Sequence, residues 1–230
     1  MHKHYFMKVR QICERERIVS FTYSFIYNES NIDELEEKYM PKILMIDNYD
    51  SFTYNIIHYL EQLDSVEVEV VMPHELSTYN GVFDAIVISP GPSHPEDRTD
   101  TIDFVESYFT TCPILGICLG HQMLWHMSGG CVTHGNRPIH GHVYTVHHAS
   151  THLFAGLSSP FNVTRYHSLV TVGENDIFEV SATTEDGVIM AIHHKTLPIY
   201  GLQYHPEAIL SEHGLEQLRA FTDIVKGRLS

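Results

Sequence analysis

From Lys42 onward, short apolar runs alternate with segments whose apolar residues recur every three to four positions. Ile43–Ile46, Ala85–Ile88 and Pro113–Ile117 are continuous runs of strand length, the pattern of strands covered on both faces. Val66–Val71 alternates with the period of two expected of a strand. Between these runs, Phe52–Leu63 and Ile102–Phe109 carry helical spacing, and Leu119–Ser128 follows the third run as another helix. Strands joined by helices of this length predict a parallel sheet with helices on both faces. The second half is richer in strands: His142–His147, Phe161–Arg165, Ile177–Ala182, Val188–His193 and Ile199–Tyr204 all read as extended. A closing helix is predicted over Leu215–Val225, with Gly227 placed to stop it.

The first 40 residues lack this alternation. Phe21–Tyr27 alternates with period two, which suits an added edge strand, and the run Asp33–Glu37 suits a short exposed helix capped by Asn31 or Ser30. The segment reads as a regulatory or docking arm, as a packed extra element, or as sequence upstream of a start at Met40. The last is favoured because Met40-Pro41-Lys42 opens directly into a strand. The expected organisation is therefore an N-terminal extension over 1–40, disordered or upstream of the true start, and one domain over 41–230.

Composition narrows the function. The chain has 230 residues, 43% of them hydrophobic, with 14 Lys+Arg against 29 Asp+Glu and a net charge of −15. A chain so acidic lacks the clustered cations that phosphate or anionic lipid requires, so neither nucleic acid nor a membrane surface is expected as partner. No stretch reaches the roughly 18–20 apolar residues of a membrane span, and Glu14 and Glu16 spoil the basic end of a secretory signal. The cysteines (Cys13, Cys112, Cys118, Cys131) form no C-x-x-C pair or dense framework, which favours thiols in a reducing, cytoplasmic setting.

Chemistry concentrates at strand ends. Gly116-Ile117-Cys118-Leu119-Gly120 closes one buried strand and opens a helix, a G-x-C-x-G form of the nucleophile elbow. The glycines permit the tight turn, and the helix N-terminus favours thiolate over thiol at Cys118. By itself the pattern is equally that of a buried cysteine beside two turn glycines. A second strand ends in Tyr204-His205-Pro206-Glu207, where His205 can serve as proton shuttle and Glu207 as the carboxylate that orients it. Leu119 N–H, at the helix start, and the Gly91-Pro92-Ser93 loop are candidate oxyanion donors. Adjacent pairs His147-His148 and His193-His194 point to opposite strand faces and so make a poor metal site. Trp125 and Met127 are expected in the core, and Glu96-Asp97 in a solvated turn.

Asp47-Asn48-Tyr49-Asp50-Ser51-Phe52-Thr53-Tyr54-Asn55, Ser89-Pro90-Gly91-Pro92, Gly116–Gln122, Arg165–Leu169 and His205-Pro206-Glu207 occur in this order. Together they resemble the class I (triad) glutamine amidotransferases, specifically the small subunits of anthranilate synthase and aminodeoxychorismate synthase, over about residues 42–230. The resemblance implies a flavodoxin-like open, mostly parallel sheet with helices on both faces and additional antiparallel strands. It implies a glutaminase in which Cys118 is the nucleophile and His205 and Glu207 complete the triad. Gly91, Pro92, Ser93, Leu119, Gln122, Ser168 and Leu169 would then form the glutamine and oxyanion pocket. It further implies ammonia delivery to a large chorismate-aminating partner, with no metal or cofactor in this subunit and Mg²⁺ on the partner. The partner-facing regions would be the loop after Asp47 and Ile139–His142.

This sequence departs from the family pattern at three places. Ser93 stands where glycine is frequent, which tilts the reading towards aminodeoxychorismate (folate) over anthranilate (tryptophan). Ile139-His140-Gly141-His142 replaces the usual Met-His-Gly-Lys, and Ala208 replaces the usual serine after H-P-E. The last two changes bear on coupling to the partner. A stand-alone γ-glutamyl cysteine hydrolase and a catalytically silent binding protein are the competing readings.

Overall fold

The computed structural model describes residues 40–63, 66–135 and 139–229. The expectations for residues 1–39 lie outside them. Strands β1 (Lys42–Ile46), β2 (Glu67–Val71), β3 (Ala85–Ile88) and β4 (Ile114–Ile117) form at the predicted apolar runs. They are joined through helices α1 (Thr53–Glu61) and α2 (Thr99–Tyr108), and α3 (Leu119–Met127) follows β4. The later chain adds β5 (Cys131–His134), β6 (His142–His148), β7 (Phe161–Arg165), β8 (Leu169–Val172), β9 (Phe178–Thr184), β10 (Ile189–His194), β11 (Ile199–Leu202) and α4 (Gly214–Leu229).

Nine strands make one sheet in the order β2-β1-β3-β4-β11-β10-β9-β6-β7. The first five in that order pair in parallel, and the rest pair antiparallel. The parallel half has the flavodoxin-like 2-1-3-4-5 order, in which β11 supplies the fifth strand. Alternation along each buried strand feeds two core layers. Ile43, Met45, Val87 and Leu115 pack with Ile56 and Leu60 of α1 and Leu218 and Phe221 of α4. Leu44, Ile46, Ile86, Ile88 and Ile114 pack with Val105 of α2 and Met123 and Leu124 of α3. Trp125 is buried in that second layer and Met127 packs against it, as expected.

Several local expectations change. Helix α4 runs through Gly227 to Leu229, so the glycine continues the helix instead of stopping it; glycine permits a left-handed stop without imposing one. Phe52 precedes α1 as its cap instead of beginning its apolar stripe. The strand expected over Ile199–Tyr204 ends at Leu202; beyond it Gln203 turns toward Cys118, while Tyr204 packs in the core with its hydroxyl accepting from Gln217 of α4. The small β5–β8 antiparallel ladder was not legible from the chain. Among the described residues no helix is long and apolar enough to cross a membrane, and Cys112, Cys118 and Cys131 form no disulfide there.

Candidate active site

Cys118 sits between the end of β4 and the first residue of α3 with φ 52° and ψ −100°. That conformation costs an L-residue about 1–3 kcal/mol, and close packing on both sides holds it. A Cβ on Gly116 would lie 2.4 Å from the carbonyl carbon of Gly120, and one on Gly120 would lie 2.5 Å from the carbonyl oxygen of Ile88. The glycines therefore let α3 approach β4 and β3, while the unusual dihedral falls on the cysteine itself. The Cys118 N–H donates to Leu202 O at 2.7 Å, tying the elbow to β11. The side chain emerges at a helix N-terminus, where unsatisfied N–H groups favour negative charge.

Parallel pairing of Ile117 with Leu202 brings the chain beyond β11 alongside Cys118. Gln203, fully buried, points its Nε2 at the sulfur from 3.9 Å and accepts a bond on Oε1 from Gln122 Nε2 at 3.1 Å. His205 is held from β7, its N–H donating to Thr164 O at 3.2 Å. The Ser211 hydroxyl donates to His205 O at 2.6 Å and accepts from Thr164 N–H at 2.9 Å, so one side chain fastens this turn to β7. His205 Nδ1 lies 2.6 Å from Glu207 Oε1, with both side chains buried. Nε2 has no hydrogen-bond partner among the described residues and is the nitrogen left for Cys118. Burial opposes charge on this ring, but the sulfur of Cys118 and then the Glu207 carboxylate outweigh it and hold the His205 pKa well above the usual value.

A cleft of about 430 Å³ opens over the sulfur. Of the residues expected there, Gly91, Pro92, Ser93, Gln122, Ser168 and Leu169 line it together with Cys118. Leu119 lies behind the wall: its Cδ2 is 3.0 Å from where a Gly91 side chain would begin, and its N–H is the first of the helix. Ser93 adopts φ 88°, a left-handed conformation that explains why glycine suits this position. Tyr166, His167, His94 and His134 also line the cleft and were not singled out from the chain. Nor was Gln203, whose one signal was a polar side chain at the end of an apolar strand.

Two buried histidines beside the site are fixed as neutral rings. His167 accepts on Nε2 from Arg165 Nε at 3.1 Å and donates from Nδ1 to Leu169 O at 2.7 Å. Burial, reinforced by the Arg165 charge, pushes its pKa down to about 3. His121 meets Thr171 Oγ1 at 3.1 Å, and its burial outweighs the nearby Gly201 carbonyl, again giving about 3. Among the described residues no group of three His, Cys, Asp or Glu is placed to hold a metal. Glu96 and Asp97 fall in an exposed single turn capped by His94.

Known proteins match this chain over most of its length. The family model described as glutamine amidotransferase class-I matches residues 44–224. The aminodeoxychorismate/anthranilate synthase component 2 of Bacillus subtilis (strain 168) is 41% identical over an alignment of 192 residues that covers 79% of this chain and 95% of that protein. The bifunctional protein TrpGD of Thermotoga maritima is 37% identical over 193 residues; the match takes in 80% of this chain but only 32% of that longer protein. A solved structure from Thermoplasma acidophilum, described as one subunit of a GMP synthase, superposes with a TM-score of 0.74 at 29% identity, covering 83% of this chain and 96% of that one. With a strained cysteine at a strand–helix elbow, a buried His–Glu pair beside it and a family match over most of its length, the chain belongs to the class-I glutamine amidotransferases.

Proposed function

We propose that this chain hydrolyses glutamine and passes the ammonia to a large chorismate-aminating subunit, with aminodeoxychorismate as the product. The observation that carries the reading is the buried His205–Glu207 pair at 2.6 Å, with the free ring nitrogen left for Cys118.

In this reading the Cys118 thiolate attacks the side-chain amide carbon of glutamine. The carbonyl oxygen becomes an oxyanion facing Leu119 N–H and the main chain of the Gly91–Ser93 loop. The His205 imidazolium gives its proton to the departing nitrogen, and ammonia leaves behind a glutamyl thioester. Neutral His205 then takes a proton from water, which attacks the thioester and regenerates the thiol as glutamate departs. Glu207 holds the ring tautomer and stabilises the imidazolium throughout. The cleft is small and ringed by main-chain and amide groups, which suits recognition of an amino acid amide. This chain needs no metal; Mg²⁺ and chorismate belong to the partner.

A relative whose name joins both products supports the chorismate assignment. Ser93, standing where the family pattern often has glycine, tilts the reading towards aminodeoxychorismate. Reconstitution with each candidate large subunit tests the proposal. Glutamate release should rise strongly when chorismate and the aminodeoxychorismate-forming partner are added, while efficient cleavage of γ-glutamyl peptides by the chain alone would favour the hydrolase. In that complex Cys118→Ser should abolish amination from glutamine and preserve amination from added ammonia. Equal loss of both would mean that Cys118 is structural.

A further inference from the structure

The turn Asp47–Phe52 between β1 and α1 takes no part in the hydrolysis, yet it reaches two separate pieces of the site. Its centre is Asp47, a buried carboxylate whose Oδ1 accepts from Tyr49 N–H at 3.0 Å, Asp50 N–H at 3.2 Å and Thr53 Oγ1 at 2.9 Å. Asp50 Oδ1 in turn accepts from Phe52 N–H at 2.8 Å. The turn is thus wound on two carboxylates, which fixes where its ends point.

One end is Asn48, fully buried. Its N–H donates to Ser89 Oγ at 2.8 Å, its Nδ2 donates to Ser89 O at 3.1 Å, and its Oδ1 accepts from Thr101 Oγ1 at 3.3 Å. Gly91 packs so closely that its missing Cβ would lie 2.6 Å from the Asn48 Cβ. The loop carrying the oxyanion donors therefore rests on Asn48. The other end is Phe52, whose ring centroid is 5.4 Å from that of His205 at 65° and 5.1 Å from that of Tyr166. Tyr166 is itself 5.3 Å from His205 at 78°. The three rings form one cluster, and Tyr166 lines the cleft while Phe52 stands behind it.

We propose that the Asp47–Phe52 turn is a positioning element of the glutaminase site, its Asn48 end setting the Ser89–Gly91 loop and its Phe52 end setting the plane of the His205 ring. Glu207 fixes only Nδ1, and a ring held at one atom can still swing. Two aromatic side chains packed near-perpendicular to it remove that freedom and exclude water from one side. Because Phe52 touches the imidazole and not the cleft, it acts through His205. The ionisable groups acting on that ring are Cys118 and Glu207, with His167 beyond them.

The inference rests on the glutaminase reading, so its test includes a measurement that needs no turnover. Iodoacetamide alkylation of the full-length chain, followed from pH 5 to 9, reports how far His205 sustains the Cys118 thiolate. Phe52→Leu and Phe52→Met, which remove the ring, should slow alkylation at the acid end by about three- to tenfold, the size of effect expected from losing an aromatic pair. Phe52→Tyr should restore it. In the reconstituted complex the ringless variants should lower kcat by a similar factor with KM within about twofold. A folded ringless variant, shown by a cooperative melt, with the wild-type alkylation profile would overturn the proposal; a loss confined to KM would do the same. Absence of glutamine hydrolysis in every variant and the parent would instead sink the functional reading and leave the alkylation comparison intact.

Discussion

Gln203 directs its amide nitrogen at the sulfur of Cys118 from 3.9 Å, 85 residues away in the chain. Its own amide oxygen is held by Gln122, so its orientation is set before any substrate arrives. This is a weak donor aimed at the sulfur. We expect Gln203→Leu to lower glutamate release by up to about tenfold, the ~1.4 kcal/mol at the upper end for one hydrogen bond. Ammonia-dependent amination in the complex should be unaffected, and a wild-type glutaminase rate would show that the contact carries no weight.

Stability should fall on acidification because of two buried rings that take no part in the proposed proton transfer. His121 and His167 both titrate near 3 in the folded chain, against about 6.5 unfolded. Below pH 6.5 the unfolded chain therefore binds more protons at these sites, so unfolding becomes easier as pH falls toward 3. Each ring contributes up to about 1.4 kcal/mol per pH unit over that window. Denaturant titrations at pH 7 and 5.5 should show the loss, and His167→Gln should reduce its slope. A flat profile would mean that these rings are solvated in solution.

Gly120→Ala should be severely destabilising, by several kcal/mol, because the new methyl meets the Ile88 backbone, which has no rotamer through which to move aside. Thermal melts would register this as a large drop in Tm or as insoluble protein. A shift under about 2 °C would mean that α3 can slide away from β3.

Ser93→Gly makes a contrasting case. With φ at 88° the serine carries backbone strain that glycine does not, so the variant should gain about 1 kcal/mol. That is a rise of roughly 2–4 °C in Tm for a chain of this size. Glutaminase KM should change little if Ser93 serves the pocket through its main chain, and a large rise in KM would assign a role to its hydroxyl.

The fold was legible where local pattern and burial agree. Ile43–Ile46 and Ala85–Ile88 are apolar because helices cover both faces of them, and that signal survives in one dimension. Cys131–His134 is mostly exposed, and its ladder with Leu169–Val172 is set by the fold around it, so no periodicity announced it. The candidate triad was readable because glycines and a proline mark the turns that present it. Gln203 and Phe52 carry no such marks: an amide at a strand end and an aromatic at a helix start are ordinary residues until β11 lies beside β4 and the Asp47 turn folds inward. Ser211 escaped notice for the same reason, since its importance lies in the two segments that it joins.

The late arrival of β11 has a consequence for biosynthesis. As the polypeptide leaves the ribosome, β4 and its cysteine emerge more than 80 residues before Leu202 and His205. During that interval the growing sheet presents an open seam where its fifth strand will insert, and the thiol has no proton acceptor beside it. The strand that fills the seam also leads into His205, so a C-terminally clipped chain would expose the β4 edge and lack the proposed proton acceptor.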